Sequence, residues 1–279
     1  MLPPVNSRLR SDGFGSARIP PSVLILEVKR KRQDQNEELL EWVLVERREE
    51  VERDGKTGKV HRAKVCIYYW DLSGQGDAND VPSGDFLGSY DARWNTVSLT
   101  AGALDTGGYV LIEPCRLRSA RLGTYLMNTI VAWAKQWPDA QVREVKLLSS
   151  DANGENRVRR NRFYRQFGIE FDFIDDDESA GVSRPMLAQA LTTTTSWEES
   201  ITEHNLVTHA RQTASAVKAL KADLRFVRQD LKKTSRELGQ AYQYPFRWLF
   251  QRVVNDNWPR TISATVIITV LGFAALKLT

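Results

Sequence analysis

The sequence predicts an α/β domain with a mixed, mostly antiparallel central sheet flanked by helices, followed by a coiled-coil helix and a C-terminal transmembrane helix. Three observations lead there. β-Branched and aromatic runs separated by polar turns fill the first hundred residues. From about residue 109 the order becomes strand, helix, strand, helix, strand. Beyond residue 199 a heptad repeat gives way to a stretch without charge. The 279 residues, 42% hydrophobic and 27% charged, are enough for one good-sized domain with attachments. A net charge of +4 is too mild to indicate a nucleic-acid partner. Cys66 and Cys115 are the only cysteines, and His61, His204 and His209 have no cysteine or carboxylate at ligand spacing, so neither a disulfide framework nor a metal site is expected.

Taken in order, residues 1–20 form a polar tail without the apolar core of a signal peptide. Residues 21–175 form the globular domain. Its first strands are predicted in "VLILEVKR" from Val23, "EWVLVERRE" from Glu41 and "KVHRAKVCIYYWDL" from Lys59, with "GQGDANDVPSGD" as a loop. "NTVSLTAG" and "GGYVLIEP" give two more strands, the second apolar on both faces as a central strand is. A helix follows in "GTYLMNTIVAWAKQWP", with Leu126, Ile130, Val131 and Ala134 as its apolar stripe and Pro138 ending it. The strand "VREVKLLSS", the basic helix "ENRVRRNRFYRQFG" capped by Gly168, and the strand "IEFDFID" complete the domain.

Residues 176–198, with "DDDESAGVSRP" and "LTTTTSWEES", read as a polar linker. Over 199–240 the residues Leu206, Ala210, Thr213, Val217, Leu220, Leu224, Val227, Leu231, Thr234 and Leu238 alternate by four and three, which predicts a coiled-coil stalk and a homo-oligomer. A lone amphipathic helix folded on its own domain is the alternative. Residues 241–260, with "YPFRWLFQRVV", suit an amphipathic segment on a membrane surface. Residues 261–279 contain the uncharged run Ile262 to Leu276, slightly short of a comfortable span but extended by Thr261 and the stem of Lys277. Trp258 at its edge, with Arg247, Arg252 and Arg260 before it, places the larger part of the chain in the cytoplasm. A buried helix packed on the preceding coil is the other reading.

The stretch "RLRSARLGTYL", Arg116 to Leu126, carries the functional signal. A loop that leaves a strand and enters a helix presents backbone N–H groups that the helix cannot satisfy, and the helix dipole adds positive potential. Gly123 allows close approach of an anion, Ser119 and Thr124 offer hydroxyls, and Arg118 and Arg121 add charge. The "GK[ST]" ending of a nucleotide-binding P-loop and the three spaced glycines of a dinucleotide fingerprint are both missing.

This stretch resembles the acyl-CoA signature of the GNAT superfamily of N-acetyltransferases, Arg/Gln-x-x-Gly-x-Gly/Ala. Arg118 stands at its first place and Gly123 at its last, while Arg121 replaces the middle glycine. "VLIEP" resembles the family's fourth strand and "NRFYRQFGIEF" its last motif, so the similarity runs from about Tyr109 to Phe173. The resemblance implies acetyl-CoA as acyl donor, an amine on a protein or small molecule as acceptor, and no metal. It implies that the amides of Arg118, Ser119, Ala120, Arg121, Leu122, Gly123 and Thr124 bind the pyrophosphate. It also implies that the edge Leu111, Ile112 and Glu113 pairs with the pantetheine, that Asn156 touches it, and that Tyr164 protonates the departing thiolate. Arg157, Arg159, Arg160, Arg162 and Arg165 form either a grip for the 3′-phosphate or an acidic partner, or a solvated helix face.

An amine with a pKa near ~10 must lose a proton before it attacks a thioester, and a carboxylate is the common acceptor. Glu113 is the first candidate base and Asp151 the second; a solvated or charge-paired carboxylate is the alternative for each. Three functions therefore stand, in this order: a membrane-tethered N-acetyltransferase, a catalytically silent, membrane-anchored scaffold on the same fold, and an oligomer that binds nucleic acid through its basic helix, with affinity falling steeply with salt. The second is favoured by Arg121 at the glycine position.

Overall fold

The computed structural model describes residues 16–31, 38–73, 83–104, 108, 110–154 and 156–248. They divide into two compact units, residues 1–209 and 210–279. The first unit is mixed α/β with a mostly antiparallel sheet. Its described residues form ten strands: β1 (Ser16–Lys31), β2 (Glu38–Arg53), β3 (Val60–Asp71), β4 (Gly84–Asp91), β5 (Thr96–Ser98), β6 (Gln141–Val142), β7 (Lys146–Leu147), β8 (Phe171–Phe173), β9 (Gly181–Ser183) and β10 (Ile201–Asn205). Helix α1 (Leu122–Ala134) lies between β5 and β6, α2 (Asn156–Arg165) between β7 and β8, and α3 (Leu206–Gln243) follows β10.

Seven strands form one sheet in the order β10-β1-β2-β3-β4-β5-β6; every pair is antiparallel except β5 with β6. The strands β7-β9-β8 form a second, antiparallel sheet. Alternation along β2 and β3 sends Val43, Val45, Val65, Ile67 and Tyr69 to one buried face. Helix α1 closes that face with its expected stripe, Leu126, Ile130, Val131 and Ala134, all fully buried. Close approach depends on Gly88 of β4, where a Cβ would come within 3.0 Å of Val65 and 3.1 Å of Ile130.

The expected single strand "VREVKLLSS" is two short strands in different sheets, because the chain turns out of the large sheet after Val142 and enters the small one at Lys146. β4 and β10 carry too few large apolar residues to stand out in the sequence. Residues 176–198 are not a linker. They hold β9 and a 3-10 turn at Ala188–Ala190, with Ser183, Ala188 and Leu191 buried. They are tied to the rest of the domain by hydrogen bonds: the Val145 amide donates to Ser183 Oγ at 2.9 Å, the Thr192 hydroxyl to the Gln166 carbonyl at 3.0 Å, and the Thr194 backbone amide to Asn128 Oδ1 at 2.8 Å.

The helix expected from 199 begins at Leu206, since Ile201 to Asn205 pair with β1. Asn205 caps it, its Oδ1 accepting the amides of Val207 (3.0 Å) and Thr208 (3.2 Å). No residue of α3 is buried. Among the described residues no helix is long and apolar enough to cross a membrane. The expected anchor, 261–279, and most of the amphipathic segment 241–260 lie outside the described residues.

Candidate functional site

The cradle ahead of α1 is set by backbone conformation. Pro114 to Arg118 wind through a short 3-10 turn, after which Ser119 (φ 64°) and Arg121 (φ 61°, ψ 8°) both adopt left-handed backbone, with buried Ala120 between them. Arg121 is the N-cap of α1 and supplies no side-chain cap. Among the described residues, no acceptor lies in hydrogen-bond geometry with the amides of Ser119 to Thr124. Left-handed residues ahead of a helix N-terminus are a local setting in which backbone N–H groups can converge on an anion.

The side chains around it are engaged with the protein. Arg118 Nε donates to the Ile112 carbonyl at 2.8 Å, and its guanidinium pairs with Glu113. Arg121 pairs with Glu199 at 2.8 Å. Arg116 ties the turn to the sheet through Asp71 and Glu41, while its carbonyl accepts from Arg30 at 2.9 Å. Arg159 spans from α2 to the cradle, reaching Ser119 Oγ at 3.4 Å and Asn156 Oδ1 at 2.8 Å. Gln166 donates to Thr124 Oγ1 at 3.2 Å. A Cβ on Gly123 would stand 3.5 Å from Ile112 and 3.6 Å from Phe163, ordinary contact distances, so those two side chains form the wall above the start of the helix.

The expected central strand through Leu111, Ile112 and Glu113 is irregular chain instead. Its apolar character has another cause: Ile112 and Val110 pack on the core while Leu111 is 46% exposed. The Ile112 carbonyl is held by Arg118, and the Glu113 amide donates to the Tyr69 hydroxyl at 2.9 Å. Parallel pairing on the edge of the large sheet belongs to β5 and β6.

Tyr164 is 7% exposed and sits edge-on to Phe163 (5.1 Å between ring centroids) and Phe171 (5.6 Å). Burial pushes its hydroxyl up to about 12, with Arg160 pulling it down and Asp151 raising it. Of the two candidate bases, Asp151 thus acts on Tyr164, whereas the charge of Glu113 acts on Tyr69, whose hydroxyl is also raised, chiefly by burial. Asp151 is held beside the start of α2, where Asn156 Nδ2 donates to its carbonyl at 2.6 Å.

The arginine run on α2 serves mostly to bind the β8–β9 turn. Arg157 donates to the Asp177 carbonyl (2.5 Å), Arg160 to the carbonyls of Leu148 and Ser179 (2.8 Å each), and Arg165 lies 3.9 Å from Glu178. Arg162 is exposed.

Two groupings escaped the sequence. A cavity of about 160 Å³ under α1 is lined by Leu24, Val45, Arg47, Tyr125, Thr129 and Glu203. Tyr125 donates to Glu203 at 2.7 Å, and burial followed by that carboxylate raises its hydroxyl strongly; Arg47 Nε is buried without a partner. His204 lies 3.0 Å from Glu27, with Trp42 against both His204 and His209 (ring centroids 5.6 and 4.6 Å). Both depend on β10, which brings residues of the supposed stalk onto β1.

No family model and no curated protein matches the chain. Among solved structures it is similar to a crystal structure of nourseothricin acetyltransferase, with 13% identity and a TM-score of 0.28, over 62% of this chain and 86% of that one.

Proposed function

We propose that the domain is an acyl-CoA-dependent N-acetyltransferase that moves an acetyl group to an amine acceptor, on a protein or small molecule, by direct attack. The observation that carries this reading is the backbone of Arg121. At the place where the acyl-CoA signature has its middle glycine, the chain runs left-handed, beside amides that have no acceptor in hydrogen-bond geometry among the described residues. Acetyl-CoA supplies the activated acyl group. In this reading the amides of Ser119 to Thr124 hold its pyrophosphate and Asn156 steadies the arm. Glu113, with Asp151 as the second candidate, takes the amine proton. Tyr164, kept protonated by burial, gives its proton to the departing thiolate. We further propose that the uncharged run Ile262 to Leu276 tethers the chain to a membrane with the domain on the cytoplasmic side.

The engagement of the Ile112 carbonyl and the Glu113 amide, and the Arg121–Glu199 pair, favour a second reading, a silent scaffold that keeps the fold and, at most, acyl-CoA binding. Calorimetric titration of acetyl-CoA into the full chain tests the donor site that the enzyme requires. Binding in the parent and in Gly123→Ala, whose added methyl fits, with none in Gly123→Trp, supports the enzyme. No binding to a folded parent sinks it.

A further inference from the structure

Helix α3 runs for 38 residues, about 57 Å at ~1.5 Å per residue, with no buried side chain. Val217, Leu220, Leu224, Val227, Leu231 and Leu238 are all large, exposed and spaced by three and four, so they lie on one stripe. In heptad terms Val217, Leu224, Leu231 and Leu238 occupy one seam position, and Leu220, Val227 and Thr234 the other. Such a stripe left in water is unfavourable, and a second identical stripe is its simplest cover.

The flanking charges decide how that cover is oriented. On one side of the seam stand Asp223, Asp230 and Glu237, all acidic; on the other stand Lys221 and Arg228, both basic. In a parallel pair, each side meets the opposite side of the neighbour one heptad on, which sets Asp223 against Arg228 of a second copy, twice by symmetry. In an antiparallel pair aligned on the same seam, like sides meet. Asp223 would face Glu237, Asp230 would face Asp230, and Arg228 would face Arg228, all repulsive. We infer that α3 is a self-association surface whose occupant is a second copy of this chain, docked parallel and in register over residues 217–238. Toward its start the seam holds only Ala210 and Thr213, so the tight part begins near Val217. Parallel docking also puts both copies of the uncharged run 262–276 at one end, where a single membrane serves both.

Disulfide trapping tests this on the full chain in detergent micelles, with Cys115→Ser removing the exposed native thiol. Val217→Cys and Ala241→Cys proteins are prepared separately and then mixed under mild oxidation. Parallel docking yields the 217–217 and 241–241 disulfides. Antiparallel docking separates two residues 217 by about 36 Å, at ~1.5 Å per residue, and yields only the mixed 217–241 species. Reversing charge with Lys221→Asp and Arg228→Asp is expected to cut the cross-linked fraction at least tenfold, and adding Asp223→Lys and Asp230→Lys to restore it. A chain that sediments as a monomer, a mixed disulfide as the main product, or a charge reversal without effect overturns the inference.

Discussion

Arg121 is the residue where local strain and proposed function meet, and replacing it by glycine and by alanine separates them. A side chain with a Cβ at φ 61° pays roughly 1–2 kcal/mol against right-handed backbone. Glycine escapes that cost and gives back about 0.5–1 kcal/mol through its freer unfolded chain. The ion pair with Glu199 is half open to water, its side chains 36% and 72% exposed, and contributes about 0–1 kcal/mol that both variants lose. Arg121→Ala keeps the strain and loses the pair; Arg121→Gly loses both. The glycine variant is therefore expected to be more stable than the alanine variant by about 1 kcal/mol, a rise of roughly 2–4 °C in Tm for a domain of this size. Thermal unfolding followed by circular dichroism reads the difference directly. Equal stability, or a more stable alanine variant, would refute the argument that backbone hand at this position is under strain.

Two further predictions concern the core and pH. Leu191→Ala should destabilise the domain by ~2–5 kcal/mol in urea denaturation, because Leu191 is fully buried; a shift below about 0.5 kcal/mol would mean that residues 176–198 are detachable after all. Tyr164 is pushed up to about 12 in the fold from an unfolded value near ~10, so its contribution is fully present below pH 10 and is lost as pH rises from 10 toward 12. Tyr164→Phe should flatten the fall of stability across that window and remove one late-titrating phenolate from the ultraviolet titration, and an unchanged slope would count against its burial.

Much of the frame was legible because it rests on short-range patterns. The apolar stripe of α1 follows the helical period, the alternation of β2 and β3 follows the pleat, and Gly168, with φ 79°, marks the end of α2 as a helix-stopping glycine does. The errors have a common source, which is the assumption that polar means outside and apolar means sheet. Val110 and Ile112 are apolar because they pack over the core from an irregular loop, and Ser183 is polar because its hydroxyl completes a buried hydrogen bond to the Val145 amide. The turn ahead of α1 was visible from its glycine and arginines. Their engagement with Ile112, Glu113 and Glu199 depends on contacts that no local pattern encodes.

β10 passes into α3 at Asn205 without a spacer, and its five residues pair with Leu24 to Val28 of β1. A load applied to the helix therefore reaches the rim of the large sheet undamped, and the first bonds it strains are the rungs between β10 and β1. Those rungs also hold Glu203 against Tyr125 and His204 beside Glu27, so loss of the strand would remove one wall of the cavity under α1. The five rungs between β10 and β1 thus tie the start of α3 to the residues that line that cavity.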